Sequence, residues 1–147
     1  MMFLLDTNVL SELRKAGEGR ADVNVVAWFS NEDAANFYVS AITLMEIEIG
    51  ILRIERRDVG QGSRLRAWMR DRVLPEFSDR TLPLDTAVSL RCARLHVPDL
   101  RPERDAFIAA TALVHGMTLV TRNVSDFSGC GVNLVNPWLT PPATPRA

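Results

Sequence analysis

Residues 2–8, Met-Phe-Leu-Leu-Asp-Thr-Asn, join a run of four apolar side chains directly to three polar ones. A short continuous apolar run closed by polar residues is typical of a strand buried in a parallel sheet. The residues from Asn8 to Leu13 then begin a helix, so Asp6 lies where the strand ends and the helix starts. Taken alone, Asp6 or Thr7 at such a junction is a helix N-cap. The alternative is a binding site, because open α/β sheets bind ligands at the carboxyl ends of their strands.

Composition restricts the class of protein. The chain has 147 residues, the length of one domain, and 47% of them are hydrophobic, which is enough for a core. No apolar run approaches a membrane span and no signal-peptide pattern is visible, so we expect a cytoplasmic protein without a membrane anchor. The net charge of −1 provides no overall basic field for nucleic acid. Cys92 and Cys130 lack metal-binding spacing and suit a reducing compartment.

Arginines form two local groups, at 53–57 and at 64–72. A solvated helix face is the simpler interpretation of each group, ahead of a dedicated RNA site.

Strand-like and helix-like segments alternate along the rest of the chain. Phe-Tyr-Val-Ser at 37–40 has the composition of a second strand, and apolar residues recur at helical spacing from Leu44 to Arg57. Further strands are predicted over 80–84, 117–121 and 132–135, and further helices over 23–30, 64–76, 86–96 and 103–115, with a chain break at 60–62. This alternation predicts an α/β fold around a parallel sheet. We place the domain at residues 1–138 and expect the proline-rich residues 139–147 to form an irregular tail.

Acidic side chains recur at equivalent places in this pattern. Asp6 ends the first strand, and Glu46 lies in the first turns of the helix after the second strand. Asp105 begins the helix before the fourth strand, and Asp126, together with Asn123, follows that strand. Because these places can share one edge of a parallel sheet, the sequence predicts a pocket of three or four carboxyl and amide groups.

Carboxylates gathered in one pocket repel one another and raise each other's pKa values. A hard divalent cation such as Mg²⁺ or Mn²⁺ removes that conflict and prefers oxygen ligands. A metal held by carboxylates activates water and polarises a phosphoryl oxygen, which is the chemistry of phosphodiester hydrolysis. No zinc-type Cys/His spacing, Ser-His-Asp arrangement or glycine-rich phosphate loop competes with this interpretation.

Five short motifs follow one another along the chain, within a resemblance that extends from residue 2 to about residue 138. They are Leu-Asp-Thr-Asn-Val at 5–9, Ser-Ala-Ile-Thr at 40–43 followed by Glu46, Arg-Asp-Ala-Phe-Ile-Ala-Ala-Thr-Ala at 104–112, Thr-Arg-Asn at 121–123 followed by Asp126 and Phe127, and Asn-Pro-Trp at 136–138. In this order they resemble the PIN-domain ribonuclease toxins of the VapC and FitB-like group. The resemblance implies a three-layer α/β/α fold with a short, mostly parallel sheet of four or five strands.

The resemblance also implies an activity and its residues. Members of the group are metal-dependent endoribonucleases that cleave RNA, the toxins of type II toxin–antitoxin pairs, each neutralised by a VapB-like antitoxin. By position, Asp6, Glu46 and Asp105 are the acidic ligands of Mg²⁺ or Mn²⁺. Four further residues would support these ligands or the bound water, namely Thr7, Asn8, Ser40 and Thr121. A homodimer and a toxin–antitoxin hetero-oligomer are implied as well.

One position departs from the family pattern. Some members carry an acid directly after Thr-Arg, where this chain has Asn123. Either Asn123 supplies a carbonyl ligand or Asp126 supplies the fourth charge. The pattern is compatible with one bound metal ion or with two.

Two other functions would also place acidic residues in an α/β fold. A degenerate PIN domain that only binds is opposed by the intact acidic trio. A phosphoacceptor receiver domain would need a lysine near its last strand, whereas Lys15 is the only lysine.

Overall fold

The computed structural model describes residues 1–139 and contains a five-stranded parallel sheet with helices on both faces. Its strands are β1 (Phe3–Leu5), β2 (Phe37–Ser40), β3 (Thr81–Leu82), β4 (Thr118–Val120) and β5 (Leu134–Val135). This confirms the predicted α/β class and the expected number of strands. Apart from Leu139, the tail predicted at 139–147 lies outside the described residues.

The strand order places β1 in the middle of the sheet. The order is β3-β2-β1-β4-β5, so the chain first builds outward on one side of β1 and then returns to build on the other. The reversal falls between β1 and β4, which is where open α/β sheets bind ligands. Receiver domains have the order 2-1-3-4-5 instead, so the phosphoacceptor interpretation is wrong.

The helices are α1 (Thr7–Ala16), α2 (Val23–Ser30), α3 (Ala41–Arg57), α4 (Val59–Trp68), α5 (Leu74–Glu76), α6 (Thr86–Leu95) and α7 (Glu103–His115). A π-helical turn, Met69–Val73, joins α4 to α5, and 3-10 turns cover Ala34–Asn36 and Val124–Phe127. Among residues 1–139, no helix combines the length and the apolar character needed to cross a membrane.

The two faces of the sheet follow from the alternation of side chains along β1. Leu4 packs with α6 and α7 in one buried cluster. Phe3 and Leu5 point the other way and pack with α1, α3 and the π-helical turn. Leu4 and Leu5 are completely buried, which is worth about 1.5–3 kcal/mol for each side chain. The result is the expected α/β/α arrangement of three layers.

Two sequence predictions about local structure were wrong. The glycines at 60–62 do not break the chain, because Asp58 caps α4 by accepting a hydrogen bond from Gln61 N at 3.0 Å. A Cβ on Gly62 would lie 2.8 Å from the Glu55 Cα, so this glycine lets α4 approach α3 closely. The predicted strands at 80–84, 117–121 and 132–135 are shorter in the structure, since only two or three residues of each form the ladder.

Candidate active site

Asp6 lies at the point where the sheet reverses, and both of its carboxylate oxygens accept hydrogen bonds. Its backbone N donates to Val120 O at 2.9 Å, which fixes the end of β1 against β4. Oδ1 accepts from Thr7 N at 2.8 Å, and Oδ2 accepts from Thr121 Oγ1 at 2.8 Å. Asp6 as a whole residue is 6% exposed. Asp6 is therefore the N-cap of α1 and also a buried acid of the candidate site.

Asn8 and Thr121 join the start of α1 to the end of β4. Asn8 Nδ2 lies 3.4 Å from both Asp6 Oδ2 and Thr121 Oγ1. Arg122 N donates to Asn8 Oδ1 at 3.2 Å, and Asn123 N donates to Thr121 Oγ1 at 3.0 Å. The contacts of Asn8 with Thr121 and with Arg122 join residues more than 110 positions apart. Asn8 and Thr121 thus lie beside Asp6, in the positions predicted for supporting residues.

Glu46 is linked to this group through Thr7. Thr7 Oγ1 donates to Glu46 Oε1 at 2.8 Å, and Arg104 Nη1 lies 3.9 Å from Glu46 Oε2. Ser40 Oγ accepts from Ile42 N at 3.0 Å and caps α3, the helix that carries Glu46. Ser40 therefore supports Glu46 by fixing the start of its helix, one step away from the carboxylates.

Asp105, in the first turn of α7, completes the acidic pocket electrostatically. Burial, and after it the negative charges of Asp6, Asp126 and Glu46, together raise its pKa to about 6. Within residues 1–139 its carboxylate takes part in no hydrogen bond or ion pair. Its negative charge is therefore balanced by no contact in the described part of the chain.

The pKa of Asp6 responds to the same neighbouring charges, but hydrogen bonds to its carboxylate oppose their effect. Burial raises this pKa, and the charges of Glu46 and Asp126 raise it further. The hydrogen bonds from Thr121 and Thr7 act in the opposite direction and lower it. Asp6, Glu46, Asp105 and Asp126 thus share one electrostatic environment, as their places at the strand ends and helix starts predicted.

Asn123 and Asp126 differ in what they bring to this pocket. Asn123 contributes its backbone N–H to Thr121 Oγ1, and its side chain is exposed. Asp126, in the 3-10 turn, is also exposed, but its charge raises the pKa of both Asp6 and Asp105.

The oxygen donors of the acidic site suit a hydrated divalent cation better than a cation fully enclosed by protein ligands. Among residues 1–139, no three Asp, Glu, His or Cys side chains form a group that could hold a metal ion as they stand. Mg²⁺ does not need such a cage, because it keeps several waters and is usually bound through one or two carboxylates. The hard oxygen donors and the raised pKa of Asp105 fit a hydrated cation of this kind.

Arg101 is a residue of this region that the sequence analysis missed. Its Nε donates to Leu95 O at 3.2 Å and its Nη1 donates to Ser128 O at 3.1 Å. Its backbone N donates to His96 Nδ1 at 3.1 Å. Arg101 therefore ties the loop that leads into α7, and hence to Asp105, to the segment that follows Asp126. The Ser128 bond spans 27 positions, so no local pattern reveals it.

Arg122 and Trp138 form a second contact that the sequence analysis missed. The Arg122 guanidinium lies over the Trp138 ring, 5.2 Å from its centroid. Asn136 Nδ2 donates to Arg122 O at 3.2 Å, and Asn24 Nδ2 donates to Trp138 O at 2.9 Å. The motif at 136–138 thus holds the end of β4 in place and contacts α2.

The PIN domain family model matches residues 3–128. The chain belongs to the PIN domain family. It is 36% identical over 145 residues to the VapC ribonuclease Y4jK of Sinorhizobium fredii, an alignment that covers 93% of this chain and 98% of that protein. It is 35% identical over 147 residues to the toxin FitB of Neisseria gonorrhoeae, covering 93% and 99%. The crystal structure of FitAcB from Neisseria gonorrhoeae superposes with a TM-score of 0.82 at 32% identity, over 95% of this chain and 100% of the matched chain.

These similarities confirm the family and the fold that the motifs predicted. The matched region contains Asp6, Glu46, Asp105 and Asp126.

Proposed function

We propose that this PIN-domain protein is a metal-dependent endoribonuclease and the toxin of a type II toxin–antitoxin pair. The observation that carries the proposal is the shared electrostatic environment of Asp6, Glu46, Asp105 and Asp126 where the sheet reverses. A relative named as a ribonuclease supports the activity, and one named as a toxin supports the biological role, each aligned over nearly its whole length.

Asp6, Glu46 and Asp105 would hold Mg²⁺ or Mn²⁺, with Asp126 supplying the fourth charge in preference to Asn123. Bound there, the cation would supply activation of water and neutralisation of charge on the scissile phosphate. The hydrogen bonds from Thr121 Oγ1 and Thr7 N orient the Asp6 carboxylate and favour its ionised form, against the effect of burial on its pKa. Thr7 also holds Glu46 in place beside Asp6. Without a cation the same four carboxylates repel the phosphates of RNA.

A toxin that cleaves cellular RNA needs a partner that holds it inactive. We assign that role to a cognate VapB-like antitoxin acting in the cytoplasm. The acidic pocket suits an arginine from such a partner, since a guanidinium forms bidentate contacts with carboxylates. Met45 and Leu52 are 40% and 50% exposed on α3, and these apolar side chains suit a homodimer within the hetero-oligomer. Light scattering of the isolated chain measures the dimer, and a monomer at micromolar concentration would contradict it.

Cleavage of single-stranded RNA by the purified chain tests the enzyme. We expect cutting with Mg²⁺ or Mn²⁺, none with EDTA, and recovery when the metal is restored. Asp6→Asn and Asp105→Asn should each lower the rate by more than the roughly 100-fold that loss of an outer-shell partner costs. Asp79→Asn is the matched control, because the Asp79 side chain is 84% exposed and lies outside the pocket.

Metal binding is measured separately by titrating Mn²⁺ in a calorimeter. The parent chain and Asp79→Asn should bind, and Asp105→Asn should bind more weakly. The proposal is wrong if EDTA leaves cleavage unchanged, or if Asp6→Asn and Asp105→Asn cut RNA at the parent rate. Mn²⁺ binding without any cleavage would favour a PIN domain that only binds.

A further inference from the structure

A second pocket lies at the opposite end of α1 from the acidic site. It has a volume of about 620 Å³ and lies between the end of α1 and α4. Thr7 at the start of α1 belongs to the acidic site, whereas Gly17, which caps the end of α1, lines this pocket. Ten residues at 1.5 Å per residue separate the two by about 15 Å. We call it the arginine pocket, after the four arginines that line it, Arg14, Arg20, Arg64 and Arg72.

The arginine pocket has an excess of positive charge. Of the described residues that line it, only Glu18 is acidic, so four arginines face one carboxylate. Glu18 pairs with Arg14 at 3.3 Å and also with Arg20. Arg64 and Arg72 take part in no hydrogen bond or ion pair within residues 1–139, and both are exposed. In the described part of the chain both guanidinium groups are therefore available to bind an anion, and the charge of Arg64 also acts on Glu18 from a distance.

The arginine pocket also has an apolar wall. Leu65 and Trp68 line it and are half-buried. Proteins that bind single-stranded nucleic acid combine a basic groove, which follows the phosphates, with aromatic side chains against which bases stack. Arginine suits the phosphates, because its planar guanidinium donates two parallel hydrogen bonds to one phosphate group.

Neither the net charge of the chain nor the acidic site attracts RNA. The net charge of −1 gives RNA no general attraction. The acidic site consists of carboxylates, which repel phosphate until a cation is bound. Affinity for a polyanion must therefore come from a local basic surface. A strand from the acidic site would cover the 15 Å with roughly four or five nucleotides at the 3.4 Å spacing of a duplex strand.

We propose that the arginine pocket binds the phosphodiester backbone of single-stranded RNA, outside the acidic site, through Arg64 and Arg72. The identity of the bound strand as substrate rests on the function proposed above. Binding to the pocket itself does not require cleavage.

Fluorescence anisotropy with a labelled oligouridylate, long enough to span both pockets, measures this binding in EDTA. The parent chain is compared with Arg64→Ala/Arg72→Ala and with a control of equal charge change, Arg56→Ala/Arg57→Ala. Arg56 and Arg57 are exposed at the end of α3 and do not line the pocket. Melting curves check that both double variants fold like the parent.

We expect Arg64→Ala/Arg72→Ala to weaken binding on the order of tenfold and to flatten its salt dependence. The slope of log K against log[salt] should fall in magnitude by about 1.4, from roughly 0.7 per phosphate contact on a single strand. The control should keep both the affinity and the slope of the parent. Equal losses in the two double variants would show that only net charge matters, and no loss in either would also overturn the proposal.

Competition with a polyglutamate peptide separates RNA from an acidic protein segment. A peptide that binds the parent and not Arg64→Ala/Arg72→Ala, while RNA binding is the same in both, would assign the pocket to a protein and overturn the proposal.

A cleavage measurement adds an independent arm. With Mg²⁺, Arg64→Ala/Arg72→Ala should raise KM for the long strand and leave kcat unchanged, because these arginines lie away from the acidic site. A substrate too short to reach the arginine pocket should be cut equally by both proteins. A parent chain that binds the oligouridylate through this pocket and cuts nothing contradicts the proposed ribonuclease, and leaves the binding assignment intact.

Discussion

Asp6 and Asp105 belong to one pocket, yet the protein treats their charges differently. Asp6 is buried at the end of β1, and hydrogen bonds from Thr7 and Thr121 support both of its oxygens. Asp105 is half-buried at the start of α7, and no hydrogen bond within residues 1–139 reaches its carboxylate. The protein's own hydrogen bonds therefore hold the Asp6 carboxylate in place, whereas the charge of Asp105, unpaired in the described residues, is left for a bound ligand to balance.

This difference separates structure from chemistry within the site. Removing the charge of Asp6 disturbs hydrogen bonds that hold β1, α1 and β4 together. Removing the charge of Asp105 relieves repulsion and disturbs no hydrogen bond in the described residues. Variants at the two positions should therefore agree in their effect on cleavage and disagree in their effect on stability.

The largest expected effect on cleavage comes from removing a hydrogen bond that Asp6 has and Asp105 lacks. Thr121→Val removes the hydroxyl that donates to Asp6 and accepts from Asn123 N. Because outer-shell partners are worth about 10–100-fold in metal affinity or activity, we expect a loss of that size in RNA cleavage and Mn²⁺ affinity. Thr118→Val is the matched control, since Thr118 lies in β4 and its hydroxyl faces Met1 Sδ, away from the acids. A parent-like rate for Thr121→Val would show that the bond to Asp6 has no catalytic importance.

The next largest effect is a difference in thermal stability, without metal, between variants of Asp6 and Asp105. Asp6→Asn also removes a charge that burial disfavours, but it leaves Thr7 N or Thr121 Oγ1 without its acceptor. A buried polar group without a partner costs about 1–3 kcal/mol, and we expect this loss to dominate. For a domain of this size each kcal/mol lowers Tm by roughly 2–4 °C. Asp105→Asn should instead raise Tm, because it removes a charge that burial and its neighbours disfavour. Thermal unfolding in EDTA measures both changes, and shifts of the same sign would refute the contrast between the two acids.

The pH dependence of stability gives a smaller and more specific signal. The pKa of Asp105 is raised from 3.8 to about 6 in the folded chain, so the folded state binds this proton more tightly than the unfolded state does. The contribution to stability is therefore complete below about pH 4 and is lost as pH rises towards 6. The Tm advantage of Asp105→Asn over the parent, measured in EDTA, should grow across this interval. A constant difference would mean that Asp105 titrates as an ordinary exposed acid.

The smallest expected effect comes from the residue that links the two loops near Asp105. Arg101→Gln loses the bond to Ser128 O and should lower the rate of cleavage by less than the roughly tenfold lower limit for an outer-shell partner. The Mg²⁺ concentration needed for half-maximal rate should rise, because Asp105 and Asp126 are then less firmly placed. Arg94→Gln, an exposed neighbour on α6, serves as the control. An unchanged Mg²⁺ requirement, with only Tm lowered, would reduce Arg101 to a structural role.

Local patterns in the sequence were sufficient for the order of strands and helices along the chain. The apolar run at residues 2–5 gives β1, the bounds 103–115 of α7 were predicted correctly, and the left-handed Gly116, with φ +65°, ends that helix. The chain break predicted at 60–62 was wrong because glycine occurs both where the chain turns and where two helices approach closely. Only the contact of Gly62 with Glu55 distinguishes these two cases.

The sequence by itself determined which acids lie at the strand ends and helix starts, because those places follow from periodicity within a few residues. Other features of the site depend on residues far apart in the chain. They are the hydrogen bond between Thr121 and Asp6, the lack of a hydrogen bond to Asp105 in the described residues, and the bond from Arg101 to Ser128 O. The arginines at 64–72 show the same limit: Arg66 pairs with Glu48 and Glu55 across two helices, whereas Arg64 and Arg72 line a pocket. Neighbours in the sequence receive different roles because burial and partners are decided by helix packing, and only the tertiary structure specifies that packing.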